Sequence, residues 1–252
     1  MELQTLLFAE ENHIGVLTLN RPHSLNAVNH TMVEELEQVF ETMKASDTCR
    51  VLILTGGGEK GFCSGLDMNE TALEMFSRPA EEIYQYQSRM SQLYYQMRCL
   101  PQPIIAAIHG AASGAGFSFA MASDVRIITP QARFNAAYIN IGLGGADLAS
   151  SYFLPKLIGT GRANEFLLTG DFMSAQEAMD LGFASRTVPR EKLLETARQL
   201  AEVMVAKNPA GLRMTKEAIN QNLGLPSLEQ ALHLENRNQA FLIAAMKLQN
   251  QP

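Results

Sequence analysis

Twice in this chain a short apolar run hands over to a glycine-rich turn and then to a helix. Val51–Thr55 (VLILT) leads into GGGEKGFCSGL, residues 56–66, and Pro103–Ile108 (PIIAAI) leads into HGAASGAGFSFAMASD, residues 109–124. Aliphatic, β-branched runs bounded by turn residues read as buried strands. Strands that alternate with helices point to an α/β fold. Glycine turns at the strand ends let the backbone approach a ligand closely, and two N–H groups aimed at one oxygen can stabilise an enolate. Ala115 opens the second helix, where the first N–H groups lack internal partners and the macrodipole is positive. Leu66 follows Gly65 in the first turn and offers a second N–H.

His13–Leu19 and Val125–Ile128 read as further strands, and Ala115 to Ala122 as a short helix. Met32, Leu36, Val39, Phe40 and Met43 recur at helical spacing behind a Thr31/Glu34 capping-box pattern. A polar-rich helix fits Ala80–Met97. Beyond Asp147 the chain turns helical, with Ser174/Glu177 and Ser227/Gln230 as capping pairs and Pro209 and Pro226 as breaks. This predicts an α/β core over residues 1–200 and a helical C-terminal region over 201–252. The succession Phe241, Leu242, Ile243, Ala244, Ala245, Met246 is apolar on all sides of a helix, which suits burial against a neighbouring subunit.

Other chemistries find little support. A net charge of −6 with no basic run argues against nucleic acid. No stretch has the roughly 18 apolar residues of a membrane span. The first residues lack the basic segment of a signal peptide. Three scattered cysteines and five histidines without ligand spacing predict neither disulfides nor a metal site. These features suit a cytoplasmic protein. Gly114-Ala-Gly116 lacks the third glycine of a dinucleotide fingerprint, Gly56-Gly-Gly58 is not followed by a P-loop, and Gly116–Ala120 is one residue short of a nucleophile elbow. His109 could pair with Ser118, but a buried structural histidine is the simpler reading.

Five segments in order, LNRPHSLNAV (19–28), GGGEKGFCSGLDM (56–68), IAAIHGAASGAGFSFAMASDVRI (105–127), the stretch 134–170 and SAQEAMDLGFASRTVP (174–189), are similar to the crotonase (enoyl-CoA hydratase/isomerase) superfamily. The resemblance spans nearly the whole chain. It implies an α/β spiral of ββα units, assembly as a homotrimer or dimer of trimers, and a coenzyme A thioester as substrate, with no other cofactor. It also implies that Leu66 and Ala115 are the oxyanion-hole donors. Leu25, Ala27, Lys60, Cys63 and Ser64 fall where the family contacts CoA, Cys63 and Ser64 through their backbone and Lys60 as a point charge for a phosphate. Asp67 and Asp124 match structural positions.

The family's hydratases use two carboxylates, one to activate water and one to move the α-carbon proton. At the matching positions this chain carries Ser118 and Tyr138. A tyrosine with an ordinary pKa near 10 is a poor base at neutral pH. Asp147, in GLGGADLAS, lies in the stretch where dienoyl-CoA isomerases carry a proton-moving aspartate and 4-chlorobenzoyl-CoA dehalogenase its nucleophile; the alignment needs one inserted residue here. The competing reading makes Asp147 the N-cap of the following helix. Phe117, Phe119, Tyr138, Ile139, Leu143, Met68, Met75 and Phe76 are expected around an apolar acyl group. One carboxylate suffices for a double-bond shift, so isomerisation is favoured over hydration. The alternatives are a hydratase of atypical mechanism, a hydrolase or dehalogenase with Asp147 as nucleophile, and an acyl-CoA-binding protein without catalysis.

Overall fold

The computed structural model describes residues 3–224 and 227–249, with the side chains of 76, 248 and 249 left aside. Pro226 lies outside the described residues. The chain opens with strands β1 (Leu6–Glu11) and β2 (Ile14–Leu19), helix α1 (His30–Lys44), and strands β3 (Val51–Gly56) and β4 (Gly61–Cys63). A wide turn, Met68–Ala72, runs into α2 (Leu73–Phe76) and the long α3 (Ala80–Cys99). Strands β5 (Ile104–Ile108) and β6 (Ala111–Ser113), helix α4 (Ala115–Ala122), and strands β7 (Val125–Ile128) and β8 (Arg133–Asn135) follow. Then come α5 (Ser150–Ile158), α6 (Thr160–Thr169), β9 (Met173–Ser174), α7 (Ala175–Asp180), β10 (Arg186–Thr187), α8 (Leu193–Val205), α9 (Pro209–Asn222) and α10 (Leu228–Gln249).

The strands form two sheets, ordered β1-β2-β3-β5-β7-β10 and β4-β6-β8-β9. Each pair β3/β4, β5/β6 and β7/β8 gives one strand to each sheet before a helix returns the chain, which is the ββα spiral expected. Pairing is parallel from β2 through β10, so both faces of the larger sheet are covered and its strands read as continuous apolar runs. Along β5, Ile104, Ala106 and Ile108 face the core shared with α1, α3 and α4, while Ile105 and Ala107 face a second core under α8. That alternation is the period of two of a strand. Leu193, Ala197 and Ala201 of α8 repeat every four residues and are fully buried, so α8 crosses residue 200 while packed on the large sheet.

α1 buries Met32, Leu36, Val39, Phe40 and Met43 as its spacing predicts, each contributing about 1.5–3 kcal/mol of apolar burial. Its cap differs from the expected Thr31/Glu34 box. The helix begins earlier, at His30, and the Asn29 side chain accepts from Met32 N–H at 3.0 Å. Asparagine is an equally good cap, and here it already satisfies that donor. The Ser174/Glu177 box is fully formed. Ser227 Oγ accepts from Gln230 N–H at 3.3 Å at the start of α10. Pro209 opens α9 at its first position, where proline lacks only a donor that would be unused. Among the described residues no helix is long and apolar enough to cross a membrane.

Candidate active site

The two glycine turns meet. Gly65 adopts φ +106°, a left-handed conformation that glycine tolerates. A Cβ placed there would stand 3.1 Å from Ser113 O and 3.7 Å from Ala115 N, so glycine fits this close approach with less crowding than any other residue. Gly116 is pressed harder: a Cβ on it would lie 2.2 Å from Cys63 O, which seats α4 directly on β4. A register shift in the β4/β6 pairing sits beside this contact. Such irregularities re-aim backbone groups at strand ends.

Leu66 bridges Val28 through Val28 N–H to Gly65 O and Asp67 N–H to Val28 O, both 2.8 Å. That pattern turns the Leu66 N–H to the side opposite Val28. The Ala115 N–H belongs to the first residue of α4. Among the described residues neither N–H has an acceptor in the chain. Both residues line one cavity of about 450 Å³, with Met68, Met75, Tyr138, Leu143 and Asp147 in its walls as expected.

The segment carrying Leu25 and Ala27 runs alongside. Ser64 N–H donates to Leu25 O at 3.0 Å and Ser64 Oγ to Ser24 O at 3.4 Å. Asn26 is fully buried and its amide donates to the carbonyls of Gly57, Gly61 and Phe62. Arg21 donates to Ala27 O and to Asp67, both at 2.7 Å, so the Ala27 carbonyl is already engaged. Asn26 and Arg21 therefore clip the loop to the first glycine turn, a role the sequence reading did not assign. Cys63 is buried, and burial pushes its thiol up to about 12, so its side chain is inert and only its backbone is available. Lys60 is not brought to this cavity; it lines a separate cleft with His109 and Arg190. Asp67 caps the Met68 turn through Asn69 and Glu70 N–H, and Asp124 pairs with Arg98 and Lys216, so both are structural.

Ser118 and Tyr138 differ from each other. Ser118 is fully buried, is not part of the cavity wall, and its hydroxyl makes no hydrogen bond of good geometry. Its dipole still lies close enough to Tyr138 to oppose the effect of burial there. Burial dominates and holds the Tyr138 phenol above its ordinary range, with Asp147 adding to the rise. The Tyr138 hydroxyl donates to Asp147 O at 3.4 Å. Phe117 and Phe119 are not in the cavity. Phe117 packs against Phe134 and Phe183, and Phe119 against Tyr94, because α4 is buried on every side and opens to the cavity only at its N-terminus. Ile139 is likewise outside the wall, and the Phe76 side chain lies outside the described residues.

Asp147 does not cap a helix. α5 begins at Ser150, its N-cap is Ala149, and no side chain caps it. Leu148 and Ala149 take positive φ values of 46° and 65°, uncommon for residues with a Cβ and found where function holds a backbone in place. Burial raises the Asp147 pKa above the ordinary carboxylate range, opposed by donation from the Leu148 N–H and from Gln87. Gln87 on α3 was not foreseen. Its position fits the sequence pattern, since Ile83, Tyr86, Gln87 and Met90 form one stripe of α3 and all line the cavity. Among the described residues no group of three or more His, Cys, Asp and Glu could hold a metal ion.

The arrangement offers two inward N–H groups, one carboxylate with raised proton affinity, and apolar walls. The profile of the enoyl-CoA hydratase/isomerase family matches residues 9–251. The chain is 35% identical over 233 residues to a Mycobacterium leprae protein described as a probable enoyl-CoA hydratase, covering 91% of this chain and 79% of that one. It is 34% identical over 219 residues to the 1,2-epoxyphenylacetyl-CoA isomerase of Escherichia coli, covering 86% and 82%. The crystal structure of an enoyl-CoA hydratase from Bacillus anthracis superposes with a TM-score of 0.90 at 31% identity, covering 96% and 92%.

Proposed function

The chain belongs to the enoyl-CoA hydratase/isomerase family, and within it we propose that this protein shifts a double bond in an acyl-CoA thioester by a single-carboxylate proton shuttle. The observation that carries the proposal is that Asp147 is the one carboxylate among the described residues lining the cavity that Leu66 and Ala115 also line. The thioester oxygen sits between the Leu66 and Ala115 N–H groups. The Asp147 carboxylate takes a proton from the carbon chain, and the electron pair moves into the thioester to give an enolate. The two N–H groups hold the charge where it develops. Asp147, now a carboxylic acid, returns the proton to a different carbon. No atom is gained or lost.

Hydration needs a second group to activate water. Ser118 is sealed away from the cavity and Tyr138 is held neutral by burial, so neither supplies it. The CoA moiety would run past Leu25, Ala27, Cys63 and Ser64 at the edge of the first glycine turn. Lys60 would meet a phosphate only at the far side of that turn. A homotrimer or dimer of trimers would cover the exposed Phe241, Ile243 and Met246 of α10.

A panel of unsaturated acyl-CoA thioesters, followed by mass spectrometry, tests the reading. The expected product has the mass of the substrate. A product heavier by one water would overturn it in favour of hydration. A covalent acyl or aryl adduct on Asp147 would make that residue a nucleophile instead. Tight binding without conversion of any thioester would leave an acyl-CoA-binding protein.

A further inference from the structure

The Asp147 carboxylate is not free on its loop. Residues 141–144 and 146 are exposed, and the stretch carries glycines at 142, 144 and 145. Among the described residues one hydrogen bond ties the 142–149 stretch to α3: Gln87 Nε2 donates to Asp147 Oδ1. Leu148 N–H donates to the same oxygen at 2.7 Å. Oδ2 makes no hydrogen bond among the described residues, and so is the oxygen left for a substrate. Gln87 is also the one amide on an α3 stripe that otherwise presents Ile83, Tyr86 and Met90 to the cavity.

We infer that Gln87 is a positioning residue, its amide crossing from α3 to hold Asp147 Oδ1 so that Oδ2 faces the reacting carbons. This rests on the reading of Asp147 as the proton carrier. Two donors on one oxygen fix the carboxylate plane, and the amide moves with a long helix rather than with the loop. Displacing a catalytic group by about 1 Å can cost on the order of 10²-fold in rate. Because the amide only donates at this contact, it favours the ionised carboxylate and keeps the base available in an apolar wall. Among the described residues the other titratable groups around Asp147 are Tyr138, from the turn before the loop, and Tyr94 and Tyr86 of α3. Burial raises the proton affinity of all three, so they stay neutral. Among the described residues no charged side chain contributes at Asp147.

Gln87→Leu keeps the apolar stripe and much of the volume while removing the donor. Expected results are a kcat lowered on the order of 10²-fold, a nearly unchanged KM, and an acidic limb of the kcat profile moved to higher pH. Gln87→Glu keeps the shape and gives a different signature. While one proton is shared by the two carboxyls, the introduced carboxyl can still donate, but loss of that proton sets two like charges side by side. This variant should therefore gain an alkaline limb absent from the parent. Thermal melting and acyl-CoA binding confirm that each variant is folded. If Asp147→Asn abolishes turnover while both Gln87 variants keep the parental kcat and limbs, the positioning role is wrong and the Asp147 reading stands. If Asp147→Asn still turns over, both are wrong.

Discussion

One wall of the cavity is backbone held in buried sheet and helix, and the other is a half-exposed loop held by side chains. On the first wall, the Leu66 and Ala115 N–H groups are placed by strand pairing, by Gly65 with its left-handed φ, and by Gly116, whose neighbours leave no room for a Cβ. On the second, Asp147 depends on Gln87, the Leu148 N–H and two left-handed residues. On the proposed reading, the contrast separates holding the thioester from moving the proton. A backbone donor cannot be exchanged by substitution, whereas a carboxylate on a loop can be moved or lost without disturbing the sheet.

Breaking the loop wall should give the largest effect. Asp147→Asn is expected to lower kcat by about 10²–10⁴-fold, the usual contribution of a general acid–base group. The fold should not suffer. A carboxyl whose folded pKa is raised is favourable below its unfolded pKa and loses that advantage as pH rises through the folded value. The variant should therefore melt at or above the parent, by a margin that opens as pH rises from about 4, the ordinary aspartate value. Scanning calorimetry across pH checks this, and a variant that melts lower at neutral pH would contradict it.

Breaking the backbone wall comes next. Gly65→Ala forces a Cβ into a φ of +106° and to 3.1 Å from Ser113 O, moving the Leu66 N–H. Loss of one oxyanion donor costs about 10²–10³-fold in kcat, and here a lower melting temperature should accompany it. Steady-state kinetics with a melting curve separates the two walls: Asp147→Asn injures rate alone, and Gly65→Ala injures both.

The pH profile sharpens the comparison without any mutation. Asp147 must be ionised to accept a proton, and burial raises its pKa. The kcat should fall as pH drops through a value above the ordinary aspartate value of about 3.9. A rate flat down to that value would remove Asp147 from the proton step. Smaller effects are expected at the two hydroxyls. Tyr138→Phe removes a long 3.4 Å hydrogen bond to Asp147 O, so kcat should change by up to about tenfold, since a typical hydrogen bond contributes about 0.5–1.5 kcal/mol. Ser118→Ala removes a buried hydroxyl without a good partner. Turnover should hold, and stability should be unchanged or rise by up to about 1 kcal/mol.

The same division explains what the sequence could reveal. Backbone function leaves marks in composition, because close approach requires glycine and buried parallel strands require unbroken apolar runs. Gly65, Gly114, Gly116 and strands β3 and β5 are legible for that reason. Phe117 and Phe119 read as pocket residues, yet they pack in the core, because an apolar residue looks alike in a core and in a pocket wall. The cap of α1 sits earlier than the Thr31 pattern suggests because Asn29 and Thr31 are both capable caps. Gln87 stayed hidden since a glutamine on a helix stripe declares its purpose only through a partner 60 positions away. The failure of Asp147 to cap α5 was equally invisible, as it follows from the left-handed backbone at Leu148 and Ala149.

The two donors without acceptors have one more consequence, for exchange with solvent deuterium. They lie among buried strands and helices, yet among the described residues no internal bond shields either amide. Most amides there exchange only when the structure opens. Those of Leu66 and Ala115 should exchange with cavity water instead, as two fast clocks inside a slow region. A bound acyl thioester would slow both together, so the resting protein carries its own occupancy gauge.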